Sequence, residues 1–360
     1  MQLHAPPRSA MTPTQRVLAA CAFQRPDRIP RYDDFWSVPP EWTARLGSPD
    51  DFTDVAIRVP LEGTFVTRCR SLGEGQGWRC WVDEWGRTLR PRDGAYFYEV
   101  LETPLADATA IDSLQFDSPG LEDRFLLGCP NLAEAQTAMA REHERFCVFG
   151  KTGGPYLRSS FVRGETQFLM DIAGDPPLAQ AIADKVGDHL LRVGLEEIRR
   201  WGLQNTGMWI FDDMAYNNGP LFSARSFERI FLPAYRRMIR AYKEAGARYV
   251  FFHSDGNILP LLDMLIDAGI DGINPLERRA GMDPVELRRK YPQLVLAGGV
   301  DNTDTLINGP ASRVEREVKA LIDLGRDGGL IIGTHSISPE VPLDHFMAYH
   351  LTCQAYGDFR

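Results

Sequence analysis

The chain has 360 residues, of which 44% are hydrophobic and 25% charged, with a formal net charge of -9. That composition gives a globular protein with a large buried core, and its acidic balance excludes the electrostatic footprint of a nucleic-acid or anionic-membrane binder. Cys21, Cys69, Cys80, Cys129, Cys147 and Cys353 are scattered without a CxxC or CxC pair, so they read as buried structural thiols in a reduced, cytoplasmic setting and not as a disulfide framework or zinc ribbon.

Residues 1–11 read as a short disordered lead that lacks the apolar run of a secretory signal, and residues 12–360 as one domain. No stretch approaches the ~20 apolar residues that a membrane span needs. Thr12 followed by Pro13 predicts a helix start, with Val17, Leu18 and Cys21 on its apolar face. Strand-like runs follow at 28–32, 54–59, 146–150, 207–211, 249–252, 271–273, 294–297 and 330–332. Amphipathic stretches separate them. Residues 177–201 carry Ala179, Ile182, Val186, Leu190 and Val193 at helical spacing, and 226–245, 259–268, 283–290 and 311–324 read as further helices. Strands alternating with helices predict a parallel sheet with crossover helices. The fold class is therefore α/β, a single (β/α)8 TIM barrel. Residues 78–118 interrupt the alternation with aromatic runs broken by Gly86, Asp93 and Gly94. They read as a β-rich insertion that either covers one rim or pads the exterior.

In such a barrel the chemistry sits where the strands end, at the C-terminal face. Three runs end there in ionisable residues: Asp212-Asp213, His253-Ser254-Asp255 and Thr334-His335. Residues i and i+2 at a strand end share a side, so His253 and Asp255 face one point, with His335 approaching from a later strand. Two imidazoles and a carboxylate leave coordination positions open and suit a divalent metal, zinc first, with iron or another ion as alternatives. The same residues also suit metal-free acid–base catalysis, with His253 titrating and Asp255 orienting it. Asp212 and Asp213 are adjacent, so their side chains diverge. One faces the mouth as metal ligand, general base or substrate anchor, and the other caps the following turn. Tyr216 and Asn217 just beyond are candidates for hydrogen bonds to a substrate. Arg158 and Arg163 flank a serine-rich stretch and are candidates for clamping a carboxylate. Neither a G-x-G-x-x-G nor a G-x-x-x-x-G-K-[ST] pattern occurs, so no nucleotide cofactor is expected.

The motifs carry a resemblance. Arg16-Val17-Leu18-Ala19-Ala20 precedes Arg25-Pro26-Asp27-Arg28-Ile29-Pro30, and Asp83-Glu84-Trp85-Gly86, Arg163-Gly164-Glu165 and Phe252-His253-Ser254-Asp255-Gly256-Asn257 follow. The series ends with Gly298-Gly299-Val300-Asp301, Gly328-Gly329 and Thr334-His335-Ser336-Ile337 before Val341-Pro342. Over nearly its whole length the chain resembles the uroporphyrinogen decarboxylase (URO-D) superfamily, which includes that decarboxylase and barrel methyltransferases acting with corrinoid proteins. The resemblance implies the eight-stranded barrel again, and Asp301 in its late Gly-Gly-x-Asp becomes a substrate-contact candidate. The decarboxylase holds its substrate's carboxylates with an arginine-rich N-terminal motif, whereas here the stretch from Tyr32 to Pro40 carries Asp33 and Asp34. The methyltransferase branch holds zinc through an H-x-C motif and a later Cys. His253 matches the histidine, Asp255 stands at the first cysteine and His335 at the second, so harder ligands replace both thiolates.

Three readings follow. The first is metal-dependent methyl transfer between a small methylated compound and a corrinoid or folate carrier, with a corrinoid protein as partner. The second is cofactor-independent decarboxylation of a porphyrinogen or other acidic substrate, with Asp212 or Asp213 stabilising a protonated intermediate. The third is a non-catalytic ligand-binding barrel. The decarboxylase side of the family also implies a homodimer.

Overall fold

The computed structural model describes residues 10–35, 42, 52–75, 78–92 and 97–360; most of the expected disordered lead and the expected break at Asp93 and Gly94 lie outside the described residues. In chain order these residues form α1 (Pro13–Cys21), β1 (Val55–Arg58), β2 (Arg70–Gly75), β3 (Trp78–Val82), β4 (Thr88–Arg90), β5 (Glu99–Glu102), α2 (Leu132–Arg145) and β6 (Cys147–Gly153). Next come α3 (Pro155–Arg163), α4 (Glu165–Gly174), α5 (Pro176–Trp201), β7 (Gly207–Phe211), the short pair β8 (Ala215–Tyr216) and β9 (Gly219–Pro220), α6 (Leu232–Glu244) and β10 (Tyr249–His253). The chain ends with α7 (Leu259–Ala268), β11 (Gly272–Asn274), α8 (Pro284–Lys290), β12 (Val295–Gly299), α9 (Ala311–Gly325), β13 (Leu330–Gly333) and α10 (Leu343–Tyr356).

Seven strands, in the order β1-β6-β7-β10-β11-β12-β13, form one curled sheet in which every pair is parallel. Residues 30–32 take the eighth place. The Tyr32 amide donates to the Ile332 carbonyl (2.9 Å), the Ile332 amide to the Pro30 carbonyl (2.9 Å), and the Asp54 amide to the Arg31 carbonyl (2.8 Å). The strand expected at 28–32 is thus a seam and not a ladder. Pro30 has no amide to donate, and the Asp54 carboxylate, 3.0 Å from the Arg31 amide, takes the bond a strand partner would accept. The fold is TIM-barrel-like.

Alternate strand residues point inward. Cys147 and Phe149, Trp209, Tyr249 and Phe251, Val295 and Ala297, and Ile331 fill the interior. Trp209 and Phe251 stack with centroids 4.8 Å apart and planes 10° apart. α1 closes the base, adding Val17 and Cys21 to this cluster. Its buried Arg16 bonds Asp27 through Nε at 2.8 Å and Asp54 through Nη1 at 2.6 Å. One guanidinium thereby ties the helix, the seam and the entry to β1, which gives the opening motif its physical meaning. Breaking a buried pair of this kind costs about 3–5 kcal/mol, because it leaves a charge uncompensated.

The outer face of the sheet packs against the helices. α5 buries Ala179, Ile182, Val186, Leu190 and Val193, as their spacing requires. The insertion is a separate four-stranded antiparallel sheet in the order β2-β3-β4-β5. It begins earlier than the aromatic pattern implies, because Gly73 and Gly75 dilute the strand signal of β2. It also ends earlier, since short 3-10 turns at Ala108–Ala110 and Glu122–Phe125 follow it. Among the described residues no helix is long and apolar enough to cross a membrane.

Candidate functional site

β10 delivers His253 to the C-terminal rim, Asp255 follows in the next turn, and His335 lies just past β13. The Asp255 Oδ1 lies 3.1 Å from His335 Nε2 and 3.6 Å from His253 Nε2. One ligand atom from each residue falls within 4.8 Å of the others. Asp255 Oδ1 is buried yet makes no hydrogen bond of good geometry, so it and the two imidazole nitrogens face a shared point. Gly256 allows the turn that sets this up. Its φ is +77°, and a Cβ there would come within 2.7 Å of the Ala215 backbone.

His253 is held from behind. Its Nδ1 lies 2.6 Å from Asn274 Oδ1, and the Asn274 amide donates to the Ala297 carbonyl at 3.1 Å. Because Asn274 spends its NH2 on that carbonyl, its oxygen faces His253 and fixes the proton on Nδ1. The Nε2 lone pair is then directed at Asp255, the tautomer a metal ligand needs. The ring also stacks on Phe211, with centroids 4.0 Å apart and planes 10° apart. Burial holds His253 below the usual histidine range against the pull of Asp213 and Asp255, keeping it neutral. Burial works against protonation of His335 too, but the nearby Asp255 carboxylate, with Glu277 and Asp34 behind it, raises it. Burial would raise Asp255, and the two histidines outweigh that and lower it. The donor set is two nitrogens and one carboxylate, and it fits a divalent cation.

The two adjacent aspartates divide as their geometry requires. Asp213 reaches the mouth, with Oδ1 3.7 Å from His253 Nε2 and 3.0 Å from the Asp255 amide. Asp212 points the other way and is fully buried. Its carboxylate accepts from the Tyr156 and Leu157 amides at 2.9 and 2.6 Å and from the Tyr235 hydroxyl, so it caps α3. Burial pushes it up to about 7 despite those bonds. Gly154 makes room for it, since a Cβ there would lie 2.2 Å from Asp212 Oδ2. Asp212 is therefore placed to hold the fold and does not meet the triad, contrary to a catalytic role at the mouth.

Arg163 also turns away from the mouth. It is buried, bonds Asp171 at 2.7 Å, and donates to the Leu105 and Ala106 carbonyls at 2.9 and 2.6 Å. These bonds anchor the end of the insertion to α3, so its guanidinium is not open to a substrate. Arg158 pairs with Glu62 at 2.5 Å and lies over the Trp85 and Phe161 rings. Asn217, Asp301 and His335 do come together, with Glu277 and Arg279, around a pocket of about 170 Å³. Asp301 additionally caps the turn after β12, accepting from the Asp304 and Thr305 amides. Tyr216 has an exposed side chain, and its carbonyl accepts from the Asn257 amide. A second, larger cleft of about 1200 Å³ runs beneath the insertion, between residues such as Leu89, Tyr98, Leu157 and Phe161, with Asp213 in its wall. The insertion therefore forms part of the rim.

The sequence model for uroporphyrinogen decarboxylase (URO-D) matches residues 85–356. The chain belongs to the URO-D family. A methyltransferase from Methanosarcina mazei shares the fold at a TM-score of 0.67 and 16% identity, over 96% of this chain and 99% of that one. No curated protein sequence matches.

Three residues at the mouth of this URO-D family barrel escape motif reading. Asn274 ends a strand but is ordinary in type, and its role appears only through its contact with His253. Asp34 lies where its charge acts on both His335 and Lys151. Lys151 stands on the inward face of β6, in line with Cys147 and Phe149, and its ammonium lies 3.9 Å from the Phe211 ring centroid. A lysine at an inward strand position is the signal that marks it in the sequence.

Proposed function

We propose that the chain is a metal-dependent, methyltransferase-like enzyme that moves a methyl group between a small methylated compound and a corrinoid or folate carrier. His253, Asp255 and His335 hold a divalent cation, zinc first by its taste for nitrogen and carboxylate donors. The observation that carries this reading is the buried Asp255 Oδ1, without a good hydrogen bond and facing two imidazole nitrogens. Such an oxygen is costly to bury unless something binds it. The carrier is inferred from the resemblance to the corrinoid-linked branch.

When bound, the cation supplies a Lewis acid that polarises the heteroatom losing or gaining the methyl group. Asn274 keeps His253 Nε2 aimed at the site. Asp213, half exposed beside His253, is placed to hold the proton that the heteroatom releases or takes up. The small compound reaches the cluster from the side of the pocket lined by Asn217, Glu277, Arg279, Asp301 and His335. Residues 12–360 act as one unit, since the seam at 30–32 and β13 close the barrel together. The decarboxylase reading has fewer groups to draw on, because Asp212 and Arg163 are committed to the fold's own bonds.

Elemental analysis of the purified, reconstituted chain tests the proposal. One divalent ion per chain is expected, and Asp255→Asn and His335→Ala should lose it while keeping their far-ultraviolet circular dichroism. Absence of stoichiometric metal after reconstitution refutes it.

A further inference from the structure

Among the described residues no carboxylate lies within ion-pair distance of the Lys151 ammonium, although Glu62, Asp34 and Asp213 act on it from further away. Its neighbours differ in this respect: Arg158 meets Glu62 at 2.5 Å and Arg31 meets Asp33 at 2.6 Å. The side chain is largely withdrawn from water, and burial lowers its proton affinity. An ammonium in that position costs stability unless a partner joins it. The aromatic face of Phe211 returns only part of that cost. The Phe211 ring also stacks on His253. Phe211 thus contacts both the lysine and a residue of the candidate metal site.

The two arginines suited by type to a carboxylate are both engaged, Arg158 by Glu62 and Arg163 by Asp171. Among the described residues two cations at the mouth have no direct partner, the exposed Arg279 and Lys151, and of these Lys151 is the one withdrawn from water. With Asp34, Asp213 and Glu62 already nearby, it suits a ligand bearing one negative charge better than a doubly charged phosphate. We infer that Lys151 is the binding site for a carboxylate on the small substrate, which sets that substrate beside the His253–Asp255–His335 cluster. The inference rests on the proposed function only in taking this ligand to be the methylated compound.

Calorimetric titration of the whole chain, zinc-loaded and zinc-free, tests it with acetate, benzoate and phenoxyacetate, each against its neutral amide. The wild type should prefer at least one acid over its amide by about tenfold or more, the usual worth of a hydrogen bond to a charged group. Lys151→Met and Lys151→Gln should abolish that preference, and Lys151→Arg should keep part of it. Both neutral variants should melt at or above the wild-type temperature, since they remove a largely withdrawn charge that has no direct partner among the described residues. Overturning results are a preference that survives in both neutral variants, no preference in the wild type across all three pairs, or a preference present only with zinc. Failure to bind any divalent metal would refute the proposed function alone, because the metal-free titration still decides the case of Lys151.

Discussion

Replacing Asn274 by alanine isolates the support behind His253. Asn274 is 3% exposed and makes two side-chain bonds, to His253 Nδ1 at 2.6 Å and to the Ala297 carbonyl at 3.1 Å. Alanine leaves a buried ring N–H and a buried carbonyl without partners. Each costs ~1–3 kcal/mol, so unfolding stability should fall by about 2–6 kcal/mol. The imidazole also loses the contact that fixes its tautomer and tilt. Loss of such support typically weakens metal binding by about 10–100-fold, or roughly 1.4–2.7 kcal/mol. Asn274→Asp separates the two effects. Its carboxylate still accepts from Nδ1, but its second oxygen faces the Ala297 carbonyl, so stability should drop while metal affinity stays within a few-fold of wild type. Competition against a chromophoric chelator measures affinity, and urea unfolding of the same samples measures stability. A folded Asn274→Ala protein that binds zinc within about twofold of wild type would refute the orienting role of Asn274.

Two further outcomes concern the frame around the site. Asp212→Ala removes the acceptor for the Tyr156 and Leu157 amides and the Tyr235 hydroxyl; it should cost about 3–5 kcal/mol by thermal or urea unfolding yet keep its metal, and loss of metal from a stable variant would return Asp212 to the site. His189 is buried, with Nε2 3.1 Å from the Glu62 carbonyl, and desolvation brings it from 6.5 down to about 4. The unfolded chain then takes up this proton first, so His189 contributes stability above pH 6.5 that is lost as pH falls towards 4. The stability of wild type relative to His189→Gln should therefore shrink by about 1.4 kcal/mol per pH unit across that window, and a flat difference between urea midpoints would show that His189 is not held neutral.

Much of the site was legible because barrel strands bury their length and expose their ends. That logic reached His253, Asp255 and His335 without any knowledge of contacts. The division of labour between Asp212 and Asp213 was also within reach. Trp209 and Phe211 point inward, so the same alternation carries Asp213 to the mouth and Asp212 outward. The arginines were harder. Pro155 after Gly154 is a sound helix start, but the serine-rich run that follows hides α3. Without α3, no side could be assigned to Arg158 or Arg163, and their partners Glu62 and Asp171 are not visible from local sequence. α10 is hard to read from the sequence for a related reason. Phe346, Tyr349, His350 and Cys353 are all buried, so polar and apolar residues share the covered side and blur the helical period. The seam at 30–32 reads as a strand by composition, and only Pro30 hints that its ladder is incomplete.

The two cavities bear on which reaction the family scaffold performs here. One, of about 170 Å³, has His335 in its wall, and the other, of about 1200 Å³, has Asp213 in its wall. His335 and Asp213 flank Asp255, at 3.1 Å from its Oδ1 and 3.0 Å from its amide. A decarboxylation has a single organic reactant and needs one approach. A methyl transfer needs donor and acceptor to meet at one atom from different directions, and one of them, a corrinoid or folate carrier, is large. Under the proposed function, a small polar pocket and a wide, largely apolar cleft, each with one wall residue beside Asp255, would match that demand in number and in size. The insertion β2–β5 then has a purpose beyond padding, since its residues Leu89, Tyr98 and Val100 form a wall of the larger cleft. Shortening that sheet should weaken use of the large reactant and leave metal binding intact, whereas changes at Asn217 or Asp301 should act on the small one.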